Sequence, residues 1–258
     1  MIRSILKWVL KATVFREGAI RTVLWGPCRG MKYRIFPGYG WAYIYGGWEP
    51  DVAEAFKAHV RPAATVYDIG ANYGMHTLLL SRLVGANGLV YAFEPNPLIA
   101  RSLREQLDLN KLVNVKTVEQ ALSNETGEAW FQVDESSATG HLSQERGSFR
   151  VEVTTLDDFV FRDGHKPPDL LKVDIEGAES RMLKGGMIVL ERFRPVMIIE
   201  LHNPTEDKAV GEILEEYNYR AFRIDDGSEV RNLRSGWPDK EGMYGTVLCL
   251  PKVRIPRT

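Results

Sequence analysis

The chain has 258 residues, 44% of them apolar and 26% charged, and its 33 basic and 34 acidic residues leave a formal charge of -1. These values fit one large α/β domain with additions, and two domains less well; the near-zero charge excludes nucleic-acid binding by bulk electrostatics. No apolar run reaches the roughly 18 residues of a membrane span, and Cys28 and Cys249 show no zinc spacing and read as buried thiols of a reducing, cytoplasmic compartment.

Residues 1–24 read as mostly helical. Ile2, Ile5, Leu6, Val9 and Leu10 recur at helical spacing, and Arg3, Lys7 and Lys11 form a basic row. Lys7 and Lys11 interrupt the apolar run and no small-residue cleavage site follows, so a signal peptide fits poorly. The segment is expected to cap the domain or form a homodimer face. Peripheral contact with an anionic membrane is the alternative. Met31 to Ile35 alternates like an edge strand. Tyr39, Trp41, Tyr43, Tyr45 and Trp48 then crowd a glycine-rich segment, suited either to a lid and sugar-stacking wall or to a satellite core. Pro50 to Val60 reads as a helix with proline at its start.

The main domain is expected over residues 62–258, behind an extension of residues 1–61. Strands are expected at Thr65–Ile69, Leu89–Phe93, Val113–Val118, Leu170–Val173 and Val196–Ile199. Helices are expected at about 73–84, 97–110, 178–190 (broken near Gly185-Gly186) and 206–217. Gly127–Val133 and Phe149–Thr154 read as two strands flanking an exposed polar loop, Asp134–Gly147. Asp157–Phe161 reads as a short helix, and His165 as a solvated loop residue. Arg220–Ile224 and Gly245–Leu250 read as an antiparallel pair at a sheet edge. Alternating strands and helices predict a mostly parallel, doubly wound sheet of seven strands with helices on both faces.

The chain is organised around Thr65–Gly74, a short apolar strand that ends in Asp68 and the turn Gly70-Ala71-Asn72-Tyr73-Gly74 before a helix. The glycines permit an unusual backbone and a close ligand approach. Glu94 ends the next strand, about 20 residues past the turn, the offset at which nucleotide-binding β-α-β units set a carboxylate on ribose hydroxyls. The turn is G-x-x-x-G with an acid before it, unlike a pyrophosphate loop. It suits a cationic ligand with a ribose, as S-adenosylmethionine is.

Three blocks, Val66-Tyr67-Asp68-Ile69-Gly70-Ala71-Asn72-Tyr73-Gly74, Phe93-Glu94-Pro95-Asn96 and Leu171-Lys172-Val173-Asp174-Ile175-Glu176-Gly177-Ala178-Glu179, together with Thr155-Leu156-Asp157, resemble the FkbM family of S-adenosylmethionine-dependent methyltransferases. The resemblance runs from about Trp48 to about Asn203. It implies a Rossmann-like class I methyltransferase fold and transfer of a methyl group to a hydroxyl of a sugar, glycan or polyketide-type metabolite. It also implies that Gln120 and Ala121, at the end of the third strand, lie beside the adenine.

On this reading Asp68, Gly70, Asn72, Tyr73, Gly74 and Glu94 hold the cofactor, with Gln120 and Ala121. The catalytic candidates are Asp174, Glu200 and His202, with His202 the base whose intrinsic pKa range fits best. Lys172 shares a face with Asp174 and is its expected partner. Glu176 and Glu179 read as helix N-terminal acids. Magnesium bound by Asp174, Glu176, Glu200 and His202 is an alternative use of the same groups and is not favoured. The rival functions are N- or C-methylation on the same fold and a scaffold that binds the cofactor without turnover.

Overall fold

The computed structural model describes residues 16–36, 40–133, 140–143, 145–231 and 245–252. The expected N-terminal helix therefore lies, up to residue 15, outside the described residues, as do Tyr39 and the side chain of Trp41. Residues 16–24 are not helical. A turn at Gly18 leads into β1 (Ile20–Thr22), which pairs antiparallel with β2 (Lys32–Arg34). The apolar spacing of residues 2–10 stops before Arg16, and cross-strand hydrogen bonds decide the conformation beyond it.

Two helices follow, α1 (Gly40–Ile44) and α2 (Pro50–His59). The central units are β3 (Thr65–Ile69), α3 (Met75–Val84), β4 (Leu89–Phe93), α4 (Pro97–Leu109) and β5 (Val115–Val118). After an inserted sheet come β10 (Leu170–Val173), α5 (Glu179–Lys184), α6 (Met187–Arg192), β11 (Val196–Glu200), α7 (Pro204–Glu216), β12 (Tyr219–Arg223) and β13 (Thr246–Pro251). The main sheet has seven strands in the order β12-β13-β11-β10-β3-β4-β5. The β11, β10, β3, β4 and β5 neighbours pair in parallel; β13 pairs antiparallel with both β11 and β12. The expected doubly wound sheet and its antiparallel edge are thus present.

Both faces of the sheet are covered. Val66, Val90, Ala92 and Ile198 pack with Phe56, Leu78, Leu80 and Leu103 of α2, α3 and α4. Tyr67, Ile69, Val173 and Ile199 pack with Met182, Leu190, Val210 and Leu214 of α5, α6 and α7. Burial on both faces explains why β3, β10 and β11 read as nearly continuous apolar runs. Leu78, Leu80 and Leu103 are fully buried, so truncating any of them to alanine costs about 2–5 kcal/mol. Cys28 and Cys249 are free and buried. No helix among the described residues is long and apolar enough to cross a membrane.

The inserted sheet contains β6 (Gln120–Leu122), β7 (Gly127–Val133), β8 (Gly140–Ser143) and β9 (Phe149–Thr154), in the order β6-β9-β7-β8. The two expected strands do pair, with Ala129 opposite Val151. The expected loop between them holds a further strand: Leu142 pairs with Phe131 and Ser143 with Trp130. Gly140, His141 and Ser143 are weak strand formers, and the β7 edge supplies the hydrogen bonds that their own propensity does not. The expected short helix is a single π turn at Asp158–Arg162. His165 is not merely solvated: its ring stacks on Phe159 at 4.0 Å and its Nδ1 lies 3.3 Å from the Tyr91 hydroxyl.

Candidate active site

The strand order reverses between the parallel neighbours β3 and β10. Sequence runs outward from β3 to β5 on one side and from β10 to β11 on the other. Open α/β sheets form their ligand crevice at the carboxyl ends of such strands. Two loops meet there, Gly70–Gly74 after β3 and Asp174–Ala178 after β10. A Cβ on Gly70, whose φ is +79°, would lie 1.8 Å from the Asp174 carbonyl oxygen. Glycine is therefore demanded by the approach of the two backbones as well as by the turn. Gly74, at φ +86°, begins α3, where a Cβ would strike Leu103 at 2.4 Å.

Lys172 joins the loops. The β3–β10 register sets it opposite Asp68 on the same face. Its Nζ donates to the Gly70 carbonyl at 2.9 Å and to Asp174 Oδ2 at 3.3 Å, and lies 3.5 Å from Asp68 Oδ1. Asp68 is fully buried and also accepts from Thr77 Oγ1, in the first turn of α3, at 2.5 Å. Burial opposes the charge on Lys172, but Asp174 and Asp68 outweigh it and hold the ammonium firmly protonated. The expected Lys172–Asp174 pair is present and is shared with Asp68.

One cleft opens on the β4 side of this joint. It is lined by Gly70, Asn72, Glu94, Gln120, Ala121 and Asp174, with apolar walls from Phe93, Ile99, Leu122, Phe131, Leu142 and Ile175, and encloses about 720 Å³ counting its open mouth. Glu94 is 7% exposed; its Oε2 accepts from the Asn72 amide at 3.0 Å and its Oε1 from the Asn96 amide at 2.9 Å. Burial pushes its carboxyl up to about 7, against the pull of those two amides and of Lys172. The cap of α4 is Asn96, whose side chain accepts from the Leu98 amide at 3.0 Å. Gln120 donates to Glu152 at 3.1 Å at the rim. His141, on β8, closes the far side.

A second cavity, about 770 Å³ counting its mouth, lies across the Gly70–Asn72 and Asp174–Glu176 wall. Tyr43, Trp48 and Tyr73 supply aromatic surface, and Glu49, His76, Lys172, Asp174, Glu176 and Glu200 supply charge. Tyr73 belongs to this cavity and not to the cleft; its ring stacks on Phe36 at 4.0 Å. Tyr43 is buried against Tyr33 and Trp48, each at 4.9 Å. The aromatic segment is thus core and cavity wall at once. Trp130 lies beneath Arg150 and Arg146 and lines neither space.

The three catalytic candidates come together. His202 Nε2 lies 3.5 Å from Asp174 Oδ1, 3.5 Å from Glu176 Oε2 and 3.9 Å from Glu200 Oε1; its Nδ1 lies 2.9 Å from Glu179 Oε1. Burial works against a charge on His202, but the hydrogen bond and charge of Glu179, with Asp174 and Glu176, raise it to about 9. Burial, helped by Asp174 and Glu49, pushes Glu200 up to about 7. The cluster thus favours the protonated form of both His202 and Glu200 above their ordinary ranges. One oxygen or nitrogen from each of Asp174, Glu200 and His202 lies within 4.8 Å of the others. The imidazolium and Lys172 supply the positive charge that such a carboxylate group requires.

Two motif acids have structural work. Asp157 accepts from the Ile188 and Val189 amides at 3.0 and 2.9 Å and caps α6. Glu179 is fully buried, accepts from the Gly177 amide at 3.1 Å and holds His202. Its pairing with His202, and the roles of Glu49, Phe131, His141 and Leu142 as walls, were not read from the sequence. Glu179 closes the Leu171–Glu179 block.

The methyltransferase FkbM domain family matches residues 68–223, which span both loops, the cleft and Glu200 to His202. The chain is 31% identical over 169 residues to the hexuronic acid methyltransferase AglP of Haloferax volcanii, covering 65% of this chain and 68% of that protein. It is 27% identical over 153 residues to the 2-O-methyltransferase NoeI of Sinorhizobium fredii, covering 52% and 62%. The crystal structure of methyltransferase FkbM from Methylobacillus flagellatus superposes with a TM-score of 0.46 at 17% identity, covering 77% of this chain and 50% of that one. The chain belongs to the FkbM family of S-adenosylmethionine-dependent methyltransferases.

Proposed function

We propose that this protein methylates a hydroxyl group of a sugar or glycan, with the methyl donor in the cleft and the acceptor in the second cavity. One observation carries the reading: two ligand-sized spaces share a wall of Gly70, Asn72, Asp174 and Glu176, and a carboxyl with a pKa near neutrality stands on the acceptor side. The names of two relatives, a hexuronic acid methyltransferase and a 2-O-methyltransferase, support an oxygen acceptor on a sugar.

The cleft's donors and acceptors suit S-adenosylmethionine. Phe93, Ile99, Leu122 and Phe131 offer apolar surface for a base, with Gln120 and Ala121 at its edge. Glu94 retains lone pairs for ribose hydroxyls beyond its two amide bonds. Gly70 and Asn72 border the space for the methionine part. Bound there, the cofactor supplies a methyl group activated by a positively charged sulfur. Asp68 and Lys172 hold the turn in shape from beneath. Asp174 and Glu176 stand at the boundary between the spaces. Glu200 accepts the proton of the acceptor hydroxyl, and His202 stays protonated and holds Asp174 and Glu176 in place. Tyr43, Trp48 and Tyr73 form the face on which a sugar ring rests, which makes the 1–61 extension part of the acceptor site.

Calorimetry of S-adenosylmethionine binding tests the cleft. Micromolar affinity that Glu94→Ala weakens about tenfold, a loss of about 1.4 kcal/mol, is the expected result. An unchanged affinity removes Glu94 from the site, and no binding to the wild type at millimolar cofactor ends the enzyme reading.

A further inference from the structure

The described residues lining the second cavity include four carboxylates, Glu49, Asp174, Glu176 and Glu200, against two groups able to carry positive charge, Lys172 and His76. Lys172 does not offset the excess. Its ammonium also answers Asp68, which lies beneath the cavity and is fully buried. His76 Nε2 lies 3.2 Å from Glu49 Oε2 without a hydrogen bond between them. His202 stands among Asp174, Glu176 and Glu179, which outnumber it. The single net positive charge of a bound methyl donor leaves the balance negative.

Glu49 is the member of this group that no chemistry in the wall between the spaces requires. It comes from the segment before α2, and its backbone is left-handed at φ 41°, which is uncommon outside glycine, asparagine and aspartate. It occupies the N-cap position of α2, yet its side chain makes no capping bond. The side chain lines the cavity instead, beside Trp48 and Tyr43. Its charge is felt at Glu200 and Lys172 across the space. Backbone strain retained where a side chain is aimed at a ligand space is characteristic of functional positions.

We propose that the acceptor cavity selects a polyhydroxylated acceptor without negative charge, a neutral or amino-bearing sugar, and that Glu49 imposes the selection. This rests on the assignment of the second cavity to the acceptor. A carboxylate on the acceptor meets a like charge in a confined space, where repulsion is far less screened than in water. Hydroxyl and ammonium groups instead donate to the carboxylates. The chain thereby differs from its relative whose name specifies a hexuronic acid.

The test uses three probes of one ring shape: a methyl glucoside, the matching glucuronide and the matching 2-amino-2-deoxyglucoside. Binding to enzyme saturated with S-adenosylhomocysteine is read by calorimetry, and transfer by a radiolabelled methyl group. The wild type is expected to favour the glucoside and the amino sugar over the glucuronide by at least tenfold in both readouts. Glu49→Gln is expected to cut that ratio about tenfold, chiefly by improving the glucuronide. Its cofactor affinity should stay unchanged, because Glu49 does not line the cleft, and that control shows the variant is folded. A wild type that takes the glucuronide as well as the glucoside overturns the proposal, as does a ratio that Glu49→Gln leaves unaltered. Loss of the sugar O-methylation reading looks different: label on nitrogen, or on no probe, while the binding ratio still reports the charge selection.

Discussion

The cleft and the cavity share a wall but are held together in opposite ways. In the cleft, the functional carboxylate is fastened to main chain: Glu94 accepts from the Asn72 and Asn96 amides. Across the wall, side chains are fastened to other side chains: Lys172 to Asp68 and Asp174, and His202 to Glu179 and Asp174. A carboxylate tied to two backbone amides is positioned by groups that do not titrate. A site built from mutually paired charges keeps its shape only while each charge is present. The cleft is thus a fixed receptor for one ligand, whereas the cavity can be retuned by single substitutions.

The largest effect is expected where the two halves join. Lys172→Met leaves Asp68 and Asp174 without their shared cation and releases the Gly70 carbonyl. Removing one partner of a buried pair costs about 3–5 kcal/mol, and Lys172 is 5% exposed. Urea unfolding should show that loss, and cofactor affinity should fall with it because the wall serves both spaces. A variant of wild-type stability that loses only turnover would mean that Lys172 acts on the acceptor side alone.

The same contrast explains what could be read from the sequence. The doubly wound sheet, its antiparallel edge and the cleft follow from short local patterns: an apolar strand, an acid or glycine at its end, then a helix. Gly70, Asn72, Glu94, Gln120, Ala121 and Asp174 all meet there. The cavity draws on Tyr43 to Glu49, Tyr73 to His76, Lys172 to Glu176 and Glu200. No local pattern announces that Glu49 faces Glu200. The surroundings of His202 were hidden for the same reason. Its intrinsic pKa was legible, but the three acids around it come from a different loop and helix. The strand Gly140–Ser143 was missed because its residues depend on a partner edge for their conformation.

An intermediate effect tests the division of labour between Glu200 and His202. In the wild type, kcat/KM should rise with pH through about 7 as Glu200 ionises and fall through about 9 as His202 loses its proton. Glu200→Gln should lower kcat about 10²–10⁴-fold, abolish the acid limb and leave cofactor affinity within twofold. His202→Gln should remove the alkaline limb with a smaller loss. The profile should be the same in EDTA. An acid limb that survives in Glu200→Gln but disappears in His202→Gln would return the base to the histidine.

The smallest effect appears without any ligand, in the dependence of thermal stability on pH. Glu94 and Glu200 are raised from 4.5 to about 7, so the folded chain holds their protons more tightly than the unfolded chain does. Stability present at pH 4.5 is therefore lost as pH rises to 7. His202 is raised from 6.5 to about 9, so its contribution is complete below 6.5 and is lost as pH climbs through 9. His59, lowered from 6.5 by burial, acts the other way but only below that value. Between pH 7 and 9 the histidine thus dominates, and its partial exposure reduces its share to about 1–2 kcal/mol. The melting temperature of the unliganded protein should fall across this range, and His202→Gln should flatten the fall while Glu94→Gln leaves it in place. A wild type whose melting temperature is level or rising from pH 7 to 9 would show that His202 is not held as a cation, and that the cavity is no more dependent on protonation than the cleft.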